Sequence, residues 1–225
     1  MGQYYKAVNI DKREYLLPHS FNCGFKLMES CYVGNDFVNA MTALLSGPWH
    51  GDQVMYIGDY AWDNVVLGDC SCSGAALLRG LKENSVLDAD PYAAAMSWHD
   101  AAEYCAVPET IEYVLRGGHG VSEVWEPVTV PAHEGEIDCE EKRYVVNETL
   151  GVFYDRGKLE KRQGCHLTQD PLLIFLAVGN GLGGGDYRSA DACKQVGSWA
   201  CQTISASNER PEGLREIVNP FDPKA

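Results

Sequence analysis

Asp170-Pro171-Leu172-Leu173-Ile174-Phe175-Leu176-Ala177-Val178-Gly179-Asn180-Gly181 contains the most apolar run of the chain. Asp followed by Pro is an N-cap and first-turn pair, so the run reads as a buried helix that the glycines terminate. An earlier segment, Asp36-Phe37-Val38 to Gly47, aligns on it without gaps; both begin with Asp and end with Gly, and Ala43 matches Ala177. The likeness extends outward. Gly47-Pro48-Trp49-His50-Gly51-Asp52-Gln53-Val54 matches Gly197-Ser198-Trp199-Ala200-Cys201-Gln202-Thr203-Ile204, and Lys6-Ala7-Val8-Asn9 matches Tyr144-Val145-Val146-Asn147. Each half therefore reads as a hairpin, a capped apolar helix, a Gly-x-Trp turn and a strand. The expected fold is α+β: one domain over residues 1–225, built by internal duplication from two similar halves, about 4–61 and about 144–207, sharing a mostly antiparallel sheet. Each half alone would expose a helix and a sheet face, so the halves should pack together.

The offset between the halves is 134 at the helix and 150 at Gly-x-Trp, so the second half carries 16 extra residues: the glycine-rich stretch Gly179 to Arg188 and a short helix after it. A second addition, about 62–120, has no counterpart and reads as inserted central helices: Ala75 to Lys82, Asp90-Pro91 through about Tyr104, and Pro108 to Leu115. Smaller expectations are a short strand at Phe25 to Met28, Asp36 as a helix N-cap, strands at Gln53 to Tyr60 and Val121 to Val130, and an acidic turn from Ala132 to Glu141. Additions to a repeated core are where a specific site is most easily placed.

Composition narrows the function. The 225 residues are 45% hydrophobic and 22% charged, as in a folded globular protein. A formal net charge of -14 repels phosphate backbones, so general nucleic-acid binding is disfavoured. No signal peptide opens the sequence and no apolar run is long enough to span a bilayer, so a cytoplasmic protein without membrane association is expected. Nine cysteines fit reduced thiols; Cys70-Ser71-Cys72 and Cys165-His166 lack zinc spacing, and neither a metal nor a cofactor is expected.

Gly179-x-Gly181-x-x-Gly184 formally matches the dinucleotide fingerprint, but that site needs the preceding run to be a strand, and here it reads as a helix. A different anion cradle fits these residues. Gly183, Gly184 and Gly185 can aim consecutive N–H groups at an anion, a helix starting near Ser189 adds its N-terminus, and Arg188 supplies charge. The candidate ligand-binding residues are Gly183, Gly184, Gly185, Asp186, Tyr187 and Arg188. The plainer reading is a tight surface loop with Arg188 paired to a nearby acid. Gly-Asp-Tyr occurs twice, at Gly58-Asp59-Tyr60 and Gly185-Asp186-Tyr187. Its aspartates read as an acid and base, as metal ligands with Asp52 and Asp69, or more simply as recurring turns. A pairing of Cys72 with His119 is a weak nucleophile candidate, because no strand–turn–helix elbow surrounds the cysteine. His99, four residues before Glu103, reads as a helix-face pair, and Trp49 and Trp199 as equivalent core residues.

The opening Met1-Gly2-Gln3-Tyr4-Tyr5-Lys6-Ala7-Val8-Asn9, with Gly183-Gly184-Gly185-Asp186-Tyr187-Arg188 and Val196-Gly197-Ser198-Trp199-Ala200, resembles an uncharacterised family of bacterial and phage proteins. The resemblance touches both ends of the chain and brings no established activity. Through a phage setting it implies a role against host defence, such as capture of a signalling nucleotide. Three functions are expected in turn. The first is a binder of a small anionic or nucleotide-like molecule. The second is a hydrolase using Asp59, Asp186 or His119. The third is an acidic module that meets a basic protein partner through Glu134, Glu136, Asp138, Glu140 and Glu141.

Overall fold

A computed structural model describes residues 3–61, 91–106, 110–116, 124–130, 135–160, 168–179 and 195–221. The chain opens with the expected hairpin, β1 (Tyr5–Asn9) and β2 (Glu14–Leu16). Asn9 fixes its turn, because its side-chain carbonyl accepts the Lys12 N–H at 3.0 Å. Where a strand was expected at Phe25 to Met28, a single helical turn forms instead, α1 (Leu27–Ser30). Glu29 closes it by reaching back to the Lys26 N–H at 3.4 Å and the Lys26 ammonium at 2.8 Å. α2 (Asp36–Ser46) is capped by Asn35 rather than Asp36: the Asn35 Oδ1 accepts the Phe37 N–H at 2.8 Å. Asp36 then lies in the first turn, where its charge still suits the helix dipole. The Trp49 turn leads into β3 (Asp52–Gly58).

The described part of the central addition is not the run of helices expected. Pro91 does open a helix, but only α3 (Pro91–Ala94) and a 3-10 turn over Ala95–Ser97. The chain then extends as β4 (His99–Asp100), and Asp100 caps a second 3-10 turn, Ala101–Tyr104, by accepting the Ala102 N–H at 3.0 Å. Ser97 to Asp100 are all indifferent helix formers, and Asp100 offers the backbone a local cap in place of helical continuation. β5 (Cys105–Ala106) follows. The helix expected from Pro108 to Leu115 is replaced by β6 (Thr110–Arg116), paired antiparallel along its length with β7 (Val124–Val130). Thr110, Ile111, Tyr113 and Val114 are strand-favouring, and the partner strand settles the choice. β8 (Ile137–Asp138) pairs in parallel with β5 inside the expected acidic turn. The helix expected at Ala75 to Lys82 lies outside the described residues.

The first order of elements then returns. β9 (Tyr144–Asn147) and β10 (Val152–Asp155) form a hairpin whose Asn147 carbonyl accepts the Leu150 N–H at 3.0 Å, as Asn9 does for Lys12. α4 (Pro171–Leu176) begins where predicted, with Asp170 Oδ1 accepting the Leu172 N–H at 3.1 Å. It stops at Leu176, however, and the expected run to Gly181 becomes β11 (Ala177–Val178). β12 (Gln202–Ser207) and the short β13 (Arg215–Glu216) complete the described chain.

Among the described residues, β5 with β8 and β6 with β7 form two separate pairs, while nine of these strands make one sheet in the order β13-β10-β9-β12-β3-β1-β2-β4, with β11 also on β3. Five of its eight pairings are antiparallel, so the fold is α+β with a mostly antiparallel sheet. The order β10-β9-β12 meets β3-β1-β2 as its reverse. At the seam Gln53 faces Thr203, Val54 faces Gln202 and Asp52 faces Ile204. These are the residues aligned in sequence at an offset of 150, and they pair antiparallel about Gln53 and Thr203. Local details recur across it. Asn9 Nδ2 donates to Asp52 Oδ2 at 2.8 Å, and Asn147 Nδ2 to Gln202 Oε1 at 2.6 Å. Gly51 and Cys201 both take positive φ, 73° and 58°.

α2 and α4 cover one sheet face. Each packs on the central strand of the other half, α2 against β12 and α4 against β3. Their core contains both tryptophans, and Phe175 stacks on Trp199 with ring centroids 4.4 Å apart. The opposite face has two smaller clusters. Val8, Met55, Ile57 and Val178 lie under Ala95, Tyr92 and Trp98; Tyr144, Val146 and Phe153 lie under Leu214. Among the described residues no helix is long and apolar enough to cross a membrane.

Candidate functional site

The six candidate residues Gly183 to Arg188 lie outside the described residues, as do Asp69, Cys72, His119 and Glu134. The structure does show the stem from which the glycine-rich stretch leaves. Val178 pairs with Ile57 in parallel, and Ile57 pairs with Lys6 on its other side, so Lys6, Ile57 and Val178 form one row across three strands. Gly179, the next residue, packs directly on two buried polar side chains. A Cβ there would fall 2.5 Å from the Tyr5 hydroxyl and 2.6 Å from Gln3 Oε1. At Gly58 a Cβ would fall 2.3 Å from Gln3 Nε2. Tyr5 donates its hydroxyl proton to Gln3 Oε1 at 3.1 Å, so both glycines close over one polar anchor.

Gly58 leads at once into Asp59 and Tyr60, the first Gly-Asp-Tyr. Asp59 Oδ1 accepts the Tyr4 N–H at 3.0 Å, and the Asp59 N–H donates to the Tyr4 carbonyl at 2.9 Å. This carboxylate is thus engaged in joining the end of β3 to the start of β1. Asp52 sits at the other end of β3, 3.0 Å from the Lys12 ammonium. β3 rises about 3.3 Å per residue, so Asp52 and Asp59 are separated by roughly the strand's length and do not share a site. Among the described residues no group of three or more His, Cys, Asp or Glu side chains is placed to hold a metal.

On the second sheet face Lys6 is almost fully buried. Its ammonium lies 3.7 Å from the centre of the Tyr92 ring, donates to the Tyr92 carbonyl at 3.1 Å and touches Met96 Sδ at 3.0 Å. Aromatic faces and a carbonyl are suitable hosts for a cation removed from water. Burial, with Asp100 close by, raises the phenol of neighbouring Tyr15 above its ordinary pKa. Sequence reading treated Lys6 only as part of a strand pattern; its inward direction follows from the pairing register with β3.

A pocket of about 290 Å³ opens at the far edge of the sheet, lined by Tyr154, Asp155, Lys158, Glu216, Val218 and Asn219. Each of its charged side chains has an internal partner. Asp155 receives the Arg143 fork at 3.0 and 3.1 Å, which holds its carboxyl below the usual range, and Glu216 receives Lys158 and Arg210. His99 Nε2 lies 3.9 Å from Glu103 Oε2, but the two stand on β4 and the following 3-10 turn, not on one helix. Of the acidic segment, Glu136, Asp138 and Glu140 are exposed and alternate with Ile137 and Cys139, which pack against the main core.

No family model, curated protein or solved structure matches the chain.

Proposed function

We propose that the chain binds a small anionic or nucleotide-like molecule through Gly183 to Arg188. The observation that carries this reading is the early end of α4. α2 runs for 11 residues, whereas α4 stops after 6 and the chain turns into β11, hydrogen-bonded to β3. Leu172 to Val178 is uniformly apolar, so nothing in its composition demands that break. Its effect is to bring Gly179 to the end of a central strand, beside Gly58-Asp59-Tyr60. A recognition loop needs such a rigid stem, because loops hold ligands only as firmly as their scaffold holds them. Three consecutive glycines would supply N–H groups to phosphate or carboxylate oxygens. In a phage setting, such a binder would sequester a signalling nucleotide of host defence.

A thermal-shift panel of mono-, di- and cyclic nucleotides tests it. Ligand at 100 times its Kd should add about 2.7 kcal/mol, a rise of roughly 5–10 °C for a chain of this size. Arg188→Ala should remove most of the shift. If no nucleotide moves the transition of either protein, the reading fails.

The alternation of Glu136, Asp138 and Glu140 with packed residues supports a second reading, an acidic strip for a basic protein partner. Exposed charge of this kind is screened over about 10 Å at 0.1 M salt. A captured partner should therefore be released at high salt, and should not be captured when these acids are changed to Gln or Asn. No observation favours a hydrolase; Asp59, its one described candidate, is engaged by the Tyr4 backbone.

A further inference from the structure

Residues 92–104 wrap around the β2 edge of the sheet, from one core to the other. Ala95 belongs to the cluster on the second face, with Tyr92 and Trp98 packed against it. β4 then runs along the edge itself. His99 lies opposite Glu14 and Asp100 opposite Tyr15, and the His99 N–H donates to the Arg13 carbonyl at 3.2 Å. Beyond β4 the chain enters the main core, where Ala101 is buried and Tyr104 packs at the margin. Little apolar surface is committed along the way. Among residues 92–104 only Ala95 and Ala101 are buried, and Met96, Ser97, His99 and Glu103 are exposed. Two methyl groups contribute little hydrophobic stabilisation. By contrast, β1 and residues 54–58 of β3 are buried throughout.

Two polar contacts clasp this segment, one on each face. Alternation along the strands puts Glu14 on the main-core side with Leu16, and Lys6 on the opposite side with Val8. Trp49 fixes the Glu14 carboxylate on the sheet, its Nε1 donating to Oε2 at 2.5 Å. The other oxygen, Oε1, accepts the Tyr104 hydroxyl at 2.7 Å. On the second face the Lys6 ammonium donates to the Tyr92 carbonyl at 3.1 Å and touches Met96 Sδ at 3.0 Å. Lys6 and Glu14 are both almost fully buried. A buried charge regains hydration when it is uncovered, which lowers the cost of lifting whatever covers it. Small buried area, an exposed outer side and desolvated charges beneath are properties of a region that opens below the free energy of global unfolding.

We propose that residues 92–104 form a strap that lifts from the sheet edge as one unit, so that the Glu14–Tyr104 clasp on one face controls access to the Lys6 amine on the other. β5, paired with β8, is the fixed end. The strap is continuous between its clasps. The Trp98 N–H bonds to the Ala95 carbonyl at 3.0 Å, β4 follows directly, and Asp100 caps the next turn through the Ala102 N–H at 3.0 Å. Release of Tyr104 frees the 3-10 turn, then β4, whose pairing with β2 covers only two residues. With β4 detached, the turn that carries Tyr92 and Met96 loses its hold on the edge, and both contacts leave Lys6.

Amide hydrogen exchange and amine acetylation, both read by mass spectrometry on the full chain, test this. In the wild type, residues 92–104 should exchange as one group, faster than β3 and β9, and acetic anhydride should modify Lys6 at a rate set by that opening. Tyr104→Phe removes only the strap's hydroxyl from the clasp. It should speed both the exchange of 92–104 and the acetylation of Lys6 by about tenfold, with exchange in β9 and β12 unchanged. Glu14→Gln should act in the same direction. The proposal is overturned if wild-type 92–104 exchanges only together with β1 and β3, if 92–98 and 99–104 open independently, or if Tyr104→Phe leaves Lys6 at its wild-type rate. Equal acceleration in β9 and β12 would also overturn it, because the opening would then be global. The wild-type exchange pattern needs no substitution, so it decides the matter even where a variant fails to fold.

Discussion

Arg156 reaches across the core from just after β10. Its Nε donates to Asp170 Oδ2 at 2.7 Å, its Nη1 to the Lys142 carbonyl at 2.8 Å and its Nη2 to Asn39 Oδ1 on α2 at 3.1 Å. Tyr154 donates its hydroxyl to the other Asp170 oxygen at 2.7 Å. Burial works most strongly against the guanidinium charge, but Asp170, Tyr154 and Glu141 together outweigh it and the Arg156 pKa remains raised. Such a pair adds little net stability over an apolar core, yet removing one partner strands a buried charge. Arg156→Met should therefore cost about 3–5 kcal/mol in urea unfolding, and adding Asp170→Asn should recover part of the loss. Asp155 makes a pH-dependent contribution. The Arg143 fork, with the Gly157 N–H, overcomes burial and depresses its folded pKa, so the unfolded state binds a proton first as pH falls. That contribution is complete above the unfolded carboxylate pKa of about 3.9 and is lost as pH falls through the lower folded value. The stability gap between wild type and Asp155→Asn should thus be constant near neutrality and narrow in acid. A gap unchanged down to the acid limit would contradict this.

At the scale of elements, the contrast between α2 and α4 matters most. Both are capped by a side-chain oxygen on the first turn and both bury an apolar face, but α4 gives way to β11. Capping and burial were legible in Asp170-Pro171 and in the apolar run. The turn at Leu176 was not, because Ala177 and Val178 fit a buried helix and a buried strand equally well. What decides it is the open flank of β3 beyond Val54, where Tyr56 and Ile57 accept β11 as a neighbour. Gly179 then has to pass close to Gln3 and Tyr5. Gly179→Ala should cost about 1–3 kcal/mol, and Gln3→Ala should relieve part of that cost in the double variant, since the two sites share the crowded space. Additive losses in thermal unfolding would show that the contact is not the constraint.

For the whole molecule, the crossed helices make the halves interdependent. α2 lies on β12 and α4 on β3, so residues 1–61 alone would expose both the inner face of α2 and the seam edge of β3. That fragment should lack dispersed amide resonances, and gain them on mixing with the rest of the chain if it refolds there. We further propose that the reversed strand order and the recurring Asn contacts reflect duplication of one hairpin–helix–strand unit. A superposition of β1, β2, α2 and β3 on β9, β10, α4 and β12 no closer than that of arbitrary segments of equal length would sink this view.

The sequence alone determined the α+β class, the two hairpins, the places where α2 and α4 begin and the two core tryptophans. Each follows from short-range chemistry: turn residues, caps and apolar spacing act within a few positions. The anchor of Gln3, Tyr5, Gly58 and Gly179 was hidden, as was the Lys6 cage. Those residues are separated by long stretches of chain, and only strand register brings them together. Tertiary structure also overruled the helices expected at Asp90 to Tyr104 and Pro108 to Leu115. There propensity is nearly balanced, and backbone hydrogen bonding to β2 and within the β6–β7 hairpin tips it toward strand.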